Sequence, residues 1–533
     1  MSLRLHRRWG RHALRLLGAL SLLGCLGACS LPEPNHNDTA AASPPYAQLA
    51  ATRLAQAAHA LRSRAQVTDT ASGIYAINDA QEAFAARALL ARAAEQTLDV
   101  QYYIWRADKT GRLLLHELLL AADRGVRVRL LLDDGGTAGL DDELLALAQH
   151  PNVQVRLFNP FVLRGSFKLL GYVTEFNRTN RRMHNKSFSA DQQASIVGGR
   201  NVGNEYFGAT DGVLFADLDV LTIGPVVQAI ESDFERYWRN VAAYPVAQIV
   251  TGTPALSLDA LRAQGQALMA SPAATDYRQA LANTPFVQHL LQEQLPMEWA
   301  AAHLVSDPPE KIQAQAPAQS LIGEQLRRAL GSPTQQLDLV SPYFVPTDEG
   351  VQAFAQLHTQ GVQVRILTNA LEATDVAVVH AGYAKYRQAL LQSGIALYEM
   401  RGRPPTYADE DESLKLRLTE WGSSGSSLHA KTFAVDGQRA FVGSFNFDPR
   451  SMHLNTEMGL MIESPALAQQ ISRSFDAYIP TRAYRLSLTP AQQLRWHSGV
   501  GHPPPVYDTE PQTAWYQRWA LWLLGLLPIE WML

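Results

Sequence analysis

Only two of the 533 residues are cysteine, and both, Cys25 and Cys29, lie within the first thirty positions. The body of the chain therefore has no disulfide framework and no cysteine-based metal site. Excess charge is missing too: 46 Lys and Arg against 50 Asp and Glu leave a formal net charge of −4, which is no electrostatic footprint for a nucleic-acid binder. Long apolar runs are scarce. Leu16 to Leu26 and the C-terminal stretch up to Leu527 both fall short of a comfortable bilayer span. Hydrophobic residues still make up 47% of the sequence, enough for real cores in two full domains.

What is present is a short phrase written twice. The first copy reads His184-Asn-Lys186-Ser-Phe-Ser-Ala-Asp191, then Gly198-Gly199-Arg-Asn201. The second reads His429-Ala-Lys431-Thr-Phe-Ala-Val-Asp436, then Gly443-Ser444-Phe-Asn446. A His and a Lys two residues apart share one face of a strand, because strand side chains alternate. One such copy is an ordinary solvated strand. Two copies at matching offsets describe half-sites of one active centre.

The copies sit inside a longer duplication. Leu98 to Tyr103 reads as a strand, residues 111 to 123 have helical apolar spacing, and Gly125 caps a helix before a buried-looking strand ending at Asp133. Leu337 to Tyr343, residues 349 to 358 and Gly361 to Asn369 repeat that series. Helices between apolar strands predict crossover units and a mixed sheet covered on both faces. The expected fold is α/β: two sandwich halves packed about a pseudo-twofold axis, with the active site at their interface. The reading divides the chain into a leader (1–28), a tether (29–65), half one (66–250), a bridge rich in Ala, Gln and Pro (251–317), half two (318–480) and a tail (481–533) carrying an apolar, Trp-rich helix.

The repeat also locates an acid in each half. Asp217 to Pro225 and Glu457 to Pro465 have the same length and ending, and aligning the prolines sets Asp217 opposite Glu457. Each half thus offers one His, one Lys, one Asn and one trailing carboxylate. A phosphodiester suits this set. Lys186 and Lys431 supply cations, and Asn201 and Asn446 neutral donors, where charge builds during transfer. One neutral imidazole can attack phosphorus while a protonated one delivers a proton to the departing alcohol. A phosphohistidine splits the displacement into two easier steps. Each carboxylate would hold the far nitrogen of an imidazole, as in a catalytic triad. No metal and no cofactor is required. Asp191 and Asp436 come after the strand, on an odd offset, and read as structural turn acids.

The duplicated pattern resembles the phospholipase D superfamily. Longer phrases are similar to the C-type bacterial cardiolipin synthases: Gln101-Tyr-Tyr-Ile-Trp105, Arg181-Arg-Met-His184, Val197 to Asn201, Asp375 to Tyr383, Gly443 to Arg450 and Leu527 to Trp531. The similarity covers roughly residues 75 to 533. It implies that His184 attacks and His429 is the acid, an order the residues alone leave open. It also implies crosswise pairing of Asp217 with His429 and Glu457 with His184. Gly199 departs from Ser444 in the second copy, which leaves a hydroxyl contact to phosphate on one side only. His380 and Tyr383 would contact a headgroup by the same resemblance, although a packing role fits them equally. The implied reaction moves a phosphatidyl group from phosphatidylethanolamine or phosphatidylglycerol to the glycerol hydroxyl of phosphatidylglycerol. A phosphodiester hydrolase of the same superfamily and a catalytically silent lipid-binding lipoprotein are the competing readings.

The ends point to a membrane surface. Arg4, Arg7, Arg8, Arg11 and Arg15 precede the apolar stretch, and Leu26-Gly-Ala-Cys29 resembles the lipobox of bacterial lipoproteins. That resemblance implies cleavage before Cys29 and its acylation, with the body facing the periplasm. Ser30 in place of Asp favours the outer over the inner membrane. Phe161 to Leu170, with Arg178, Arg181 and Arg182, mixes apolar and basic residues suited to anionic lipid. Trp515, Trp519, Trp522 and Leu526 follow helical spacing, which fits either the bilayer interface or a terminal helix docked on the body. No nucleic-acid partner is expected, and a monomer is compatible with both half-sites lying in one chain.

Overall fold

Apolar runs alternating with one-sided helices build the same sheet twice. The computed structural model describes residues 31–34, 49–164, 171, 174–208, 217–252, 255–402 and 428–533. The leader, Cys29, Ser30 and residues 35–48 of the tether, and residues 165–170 of the basic loop lie outside the described residues. Half one supplies β1 (Ala71–Ile77), β2 (Thr97–Ile104), β3 (Arg127–Gly136), β4 (Val153–Phe158), β5 (Ser187–Ala190), β6 (Ala194–Gly198), β7 (Asp219–Ile223) and β8 (Ala243–Pro245). Half two supplies β9 (Glu298–Ser306), β10 (Gln336–Val340), β11 (Gln363–Asn369), β12 (Ala396–Met400), β13 (Thr432–Val435), β14 (Arg439–Gly443), β15 (Met458–Ile462) and β16 (Ala483–Leu488). Two further strands, β17 (Leu494–Ser498) and β18 (Val506–Tyr507), extend its edge.

Side by side, half one runs β8, β4, β3, β2, β5, β6, β7, β1. Half two repeats this as β16, β12, β11, β10, β13, β14, β15, β9. In each, a parallel trio built by crossover helices adjoins an antiparallel meander; the crossover units and the mixed sheet are those the sequence predicts. The halves join where β1 pairs antiparallel with β9, Ser72 facing Ala300. The mixed α/β architecture with two related halves is the expected one.

Two segments differ from their expected roles. The bridge 251–317 contains several helices and all of β9, the counterpart of β1, so its C-terminal part belongs to half two. Part of the tether is likewise body: helix Arg53–Ala65 buries Leu54, Ala57, Ala58 and Leu61 against the first core. Alanine-rich sequence suits a flexible linker by composition, but alanine is also the strongest helix former. Packing decided between the two.

The strands following the two motifs begin the interface. Pro225 and Pro465 open helices Pro225–Trp238 and Pro465–Ala477 at their first positions, where a missing N–H costs nothing. Val226, Ile230, Leu467 and Ile471 from these helices form one cluster with Val197, Val220, Val442 and Leu460. A single apolar core thus spans both halves and fixes their relative placement. At the far end, helix Trp515–Gly525 rests its buried Leu521 side on helix Ala377–Ala384. The Leu533 carbonyl accepts the Arg450 N–H at 2.7 Å, so the tail is docked. Among the described residues no helix is long and apolar enough to cross a membrane.

Asp191 and Asp436 both hold left-handed backbone, with φ of 51° and 52°, in the hairpin turns after β5 and β13. Their carboxylates accept N–H groups from the neighbouring segment rather than their own turn. Asp191 takes those of Glu95, Gln96 and Thr97, and Asp436 those of Thr334, Gln335 and Gln336. Each acid ties its turn to the start of the adjacent strand. Asp191→Ala is expected to cost about 3 kcal/mol by leaving three N–H groups without their acceptor. The less buried Asp436→Ala should cost less. Thermal unfolding checks this, and an unchanged melting temperature for Asp191→Ala would refute it.

Candidate active site

His184 and Lys186 lie in the extended segment leading into β5, and His429 and Lys431 in the segment leading into β13. They thus precede the regular ladder rather than sit within it. What pins the first segment is the other half: His184 N–H donates to the Thr456 carbonyl at 2.8 Å, and Thr456 N–H returns to the Arg182 carbonyl at 3.0 Å. That bridge brings the next residue, Glu457, under the imidazole. His184 Nδ1 lies 2.7 Å from Glu457 Oε2, and His429 Nδ1 lies 2.6 Å from Asp217 Oδ2. Each pair crosses from one half to the other. Each ammonium turns back on its own histidine: Lys186 Nζ donates to the His184 carbonyl at 2.6 Å, and Lys431 Nζ donates to the His429 carbonyl.

Aromatic rings wall both imidazoles. Tyr103 meets His184 edge-on at 4.8 Å, and Tyr206 meets His429 edge-on at 5.2 Å. The Lys186 ammonium sits 5.5 Å from the Tyr103 ring centre. Asn201 Oδ1 accepts the Ile104 N–H at 3.2 Å, which commits the amide oxygen and leaves the amino group as donor. Asn446 is buried, and its Oδ1 has no hydrogen-bond partner among the described residues. Behind Glu457, Ser444 and Ser451 donate to its two carboxylate oxygens. Asp307 accepts its N–H at 3.0 Å and is itself paired with Lys311 at 2.7 Å.

The electrostatics follow from crowding cations in a buried site. Burial pushes His184 well below 6.5, and Lys186, Lys431 and His429 push the same way. Burial lowers Lys186 to about 7 and also lowers Lys431. A site that disfavours its own cations is prepared for an anion. The carboxylates diverge. Burial raises Glu457 to about 7. Burial works against Asp217 as well, yet His429, Arg200 and Lys431 hold it down to about 2.

Both halves match the family model described as cardiolipin synthase, PLD-like domain, over residues 88–238 and 326–479. The chain belongs to the phospholipase D-like cardiolipin synthase family. It is 46% identical over 462 residues to cardiolipin synthase C of Escherichia coli, covering 86% of this chain and 96% of that protein. An uncharacterized Helicobacter pylori protein is 31% identical over 455 residues, 83% of this chain and 86% of that one. Phosphatidylserine synthase of Haemophilus influenzae shares the fold at a TM-score of 0.50 and 14% identity, over 80% of this chain and 92% of its own.

In this family member the half-sites are not copies. A Cβ on Gly199 would come within 2.2 Å of Asp217 Oδ1, so glycine is needed where the shorter acid approaches. In half two the longer Glu457 leaves room for Ser444, whose hydroxyl is spent on that carboxylate and on the Met458 N–H at 3.0 Å. The one-sided hydroxyl expected at the phosphate therefore serves the acid instead. Arg200 donates to the Asp217 carbonyl at 2.8 Å and to Asp219 at 3.2 Å. Its counterpart is Phe445, and that of Asp219 is Gly459. The charged pair thus exists on one side only.

His380 and Tyr383 are buried and hydrogen-bonded within the protein, which fits the packing role. His380 Nε2 accepts from Arg387 at 2.7 Å, and Tyr383 donates to Glu399 at 2.8 Å. Arg387 also contacts Glu510, closing a network inside half two. The sequence reading missed Tyr103, Tyr206, Arg200, Asp307 and Lys311. Two of these carried a signal: Arg200 as the one charged residue in Gly-Gly-Arg-Asn, and Tyr103 inside the phrase Gln101-Tyr-Tyr-Ile-Trp105. Gly199→Ala is expected to displace Asp217 from His429 and lower turnover about a hundred-fold with little change in melting temperature. Near-normal turnover would show that the close approach is dispensable.

Proposed function

We propose that this chain is a phosphatidyltransferase that makes cardiolipin, with phosphatidylethanolamine or phosphatidylglycerol as donor and phosphatidylglycerol as acceptor. The observation that carries it is the crosswise pairing of two imidazoles with two carboxylates in one cation-lined, buried site. The His184 Nε2 lone pair attacks the donor phosphorus, the bond to the headgroup oxygen breaks, and His429 delivers its proton to that oxygen. The phosphatidyl group is now on His184. The glycerol hydroxyl of phosphatidylglycerol then attacks the same phosphorus, gives its proton to His429, and the N–P bond breaks. Lys186, Lys431, Asn201 and Asn446 hold the non-bridging oxygens throughout.

The asymmetry supports His184 as nucleophile. Burial and neighbouring lysines lower both imidazoles, but Asp217 works against this at His429, whereas His184 falls well below its ordinary value beside a carboxyl whose own charge is weakened. His429 faces Asp217, an anion at neutral pH, which is the partner a proton donor requires. The leader resembling a lipoprotein signal supports a lipid-anchored enzyme facing the periplasm, with Ser30 favouring the outer membrane. There the acceptor is concentrated and water partly excluded.

Incubation with vesicles of phosphatidylglycerol, with and without phosphatidylethanolamine, tests the reading: cardiolipin is expected, whereas phosphatidic acid alone would make water the acceptor and the enzyme a hydrolase. His184→Ala and His429→Ala are each expected to abolish product, and substantial turnover by either would contradict the two-histidine mechanism. The pH profile separates the roles. The rate falls at high pH as the acid loses its proton. Removing the anion beside His429 lowers that imidazole's pKa, so Asp217→Asn should move the alkaline limb to lower pH. Glu457→Gln should reduce the rate and leave that limb in place. The opposite pattern would exchange the two histidines.

A further inference from the structure

Helix Trp515–Gly525 is docked by one side only. Its other side presents Trp515, Trp519, Trp522 and Leu526 at helical spacing, with fractional exposures of 73%, 57%, 60% and 62%. Leu527 and Trp531 continue the surface, and Trp531 is 55% exposed although its ring touches Phe176 at 6.4 Å. Four of the ten tryptophans of the chain lie on this one face. A soluble surface rarely gathers so large an apolar patch without an occupant. Trp-rich composition with a polar ring edge is what the interface of a bilayer selects.

Two neighbours identify that occupant as lipid. Trp531 lines a cavity of about 530 Å³ together with Phe176, Asn180, Arg181 and Leu31. Arg181 spends one guanidinium nitrogen on the carbonyls of Lys311 and His453, and no described carboxylate pairs with it. A cation beside an apolar face complements anionic headgroups above acyl chains. Leu31 stands two residues after Cys29. Two residues of chain reach about 7 Å at most, so an acyl group carried on Cys29 would enter lipid beside this same cavity. The cavity also adjoins the site: Arg182, next to Arg181, bonds through its carbonyl to the residue preceding Glu457.

We propose that the Trp515–Trp531 face, with the Arg181 cavity at its end, is a bilayer-docking surface that seats the active site on anionic phospholipid. This rests on the phosphatidyltransferase reading for its substrate. The surface and the N-terminal anchor then act on one side of the molecule. The first fixes orientation, and the second prevents escape.

The full chain carrying Trp519→Glu, Trp522→Glu and Leu526→Glu tests it, assayed on phosphatidylglycerol vesicles and on short-chain phosphatidylglycerol dissolved below its micelle threshold. Docking predicts a loss of about ten-fold or more on vesicles and an unchanged rate on the dissolved substrate. Equal rates on both, or an equal loss on both, would overturn it. Brominated lipid in the vesicles supplies a readout independent of turnover. Tryptophan fluorescence of the full chain should be strongly quenched, and changing Trp515, Trp519, Trp522 and Trp531 together to Phe should remove most of that quenching. Quenching unaffected by the four substitutions would overturn the proposal, as would a sedimentation shift showing that a second copy covers the face. If the unaltered chain turns over neither substrate, the transferase reading fails, while quenching still judges the surface.

Discussion

Everything in the site hangs on one constraint: each imidazole borrows its carboxylate from the opposite half. A histidine and an acid from one sheet would tolerate rotation of the halves by several degrees. Pairs at 2.7 and 2.6 Å across the interface do not. The shared apolar cluster of helices Pro225–Trp238 and Pro465–Ala477 with the strands β6, β7, β14 and β15 is therefore part of the chemistry. It sets the one packing in which both pairs close. Lys311, Asp307 and Ser451 extend the same logic on the Glu457 side, holding a long, flexible acid in one rotamer.

Local charge then differentiates what geometry makes equivalent. Burial lowers every cation of the motif, and Glu457 and Asp217 work the other way on both lysines. Arg200 and Asp219 stand where half two has Phe445 and Gly459. That exchange places a guanidinium beside Asp217, whereas lysines and serines face Glu457, and it accompanies the divergence of the two acids to about 2 and about 7. A site built from a repeat acquires a direction through residues outside the repeated letters.

How much of this was legible before coordinates depended on sequence distance. The motifs, the trailing acids and the twofold series of strands and helices are written as a repeat with fixed offsets, so they could be read from spacing alone. Supports reached only through tertiary packing could not. Asp307 and Lys311 fall in a segment whose Ala, Gln and Pro content resembled a linker, and no pattern connects them to Glu457. Tyr206 shows no periodic reason to sit on His429. Asp191 and Asp436 were readable as turn acids, but their real partners, a hundred residues away, were not. His380 and Tyr383 were left open between a headgroup contact and packing, and a buried network with Arg387, Glu399 and Glu510 holds them.

The join between β1 and β9 carries a further implication. Ser72 and Ala300 hold equivalent places in the two halves and face each other, with Ala71 opposite Ala301 and Gly73 opposite Trp299. That is the self-complementary contact of an isologous dimer, written inside one polypeptide. Two identical subunits meeting in this way would be bound by their dyad to give both imidazoles the same surroundings. Joining them covalently frees each side to vary. The fused chain can therefore set a glutamate beside one ring and an aspartate beside the other, a distinction closed to a symmetric pair.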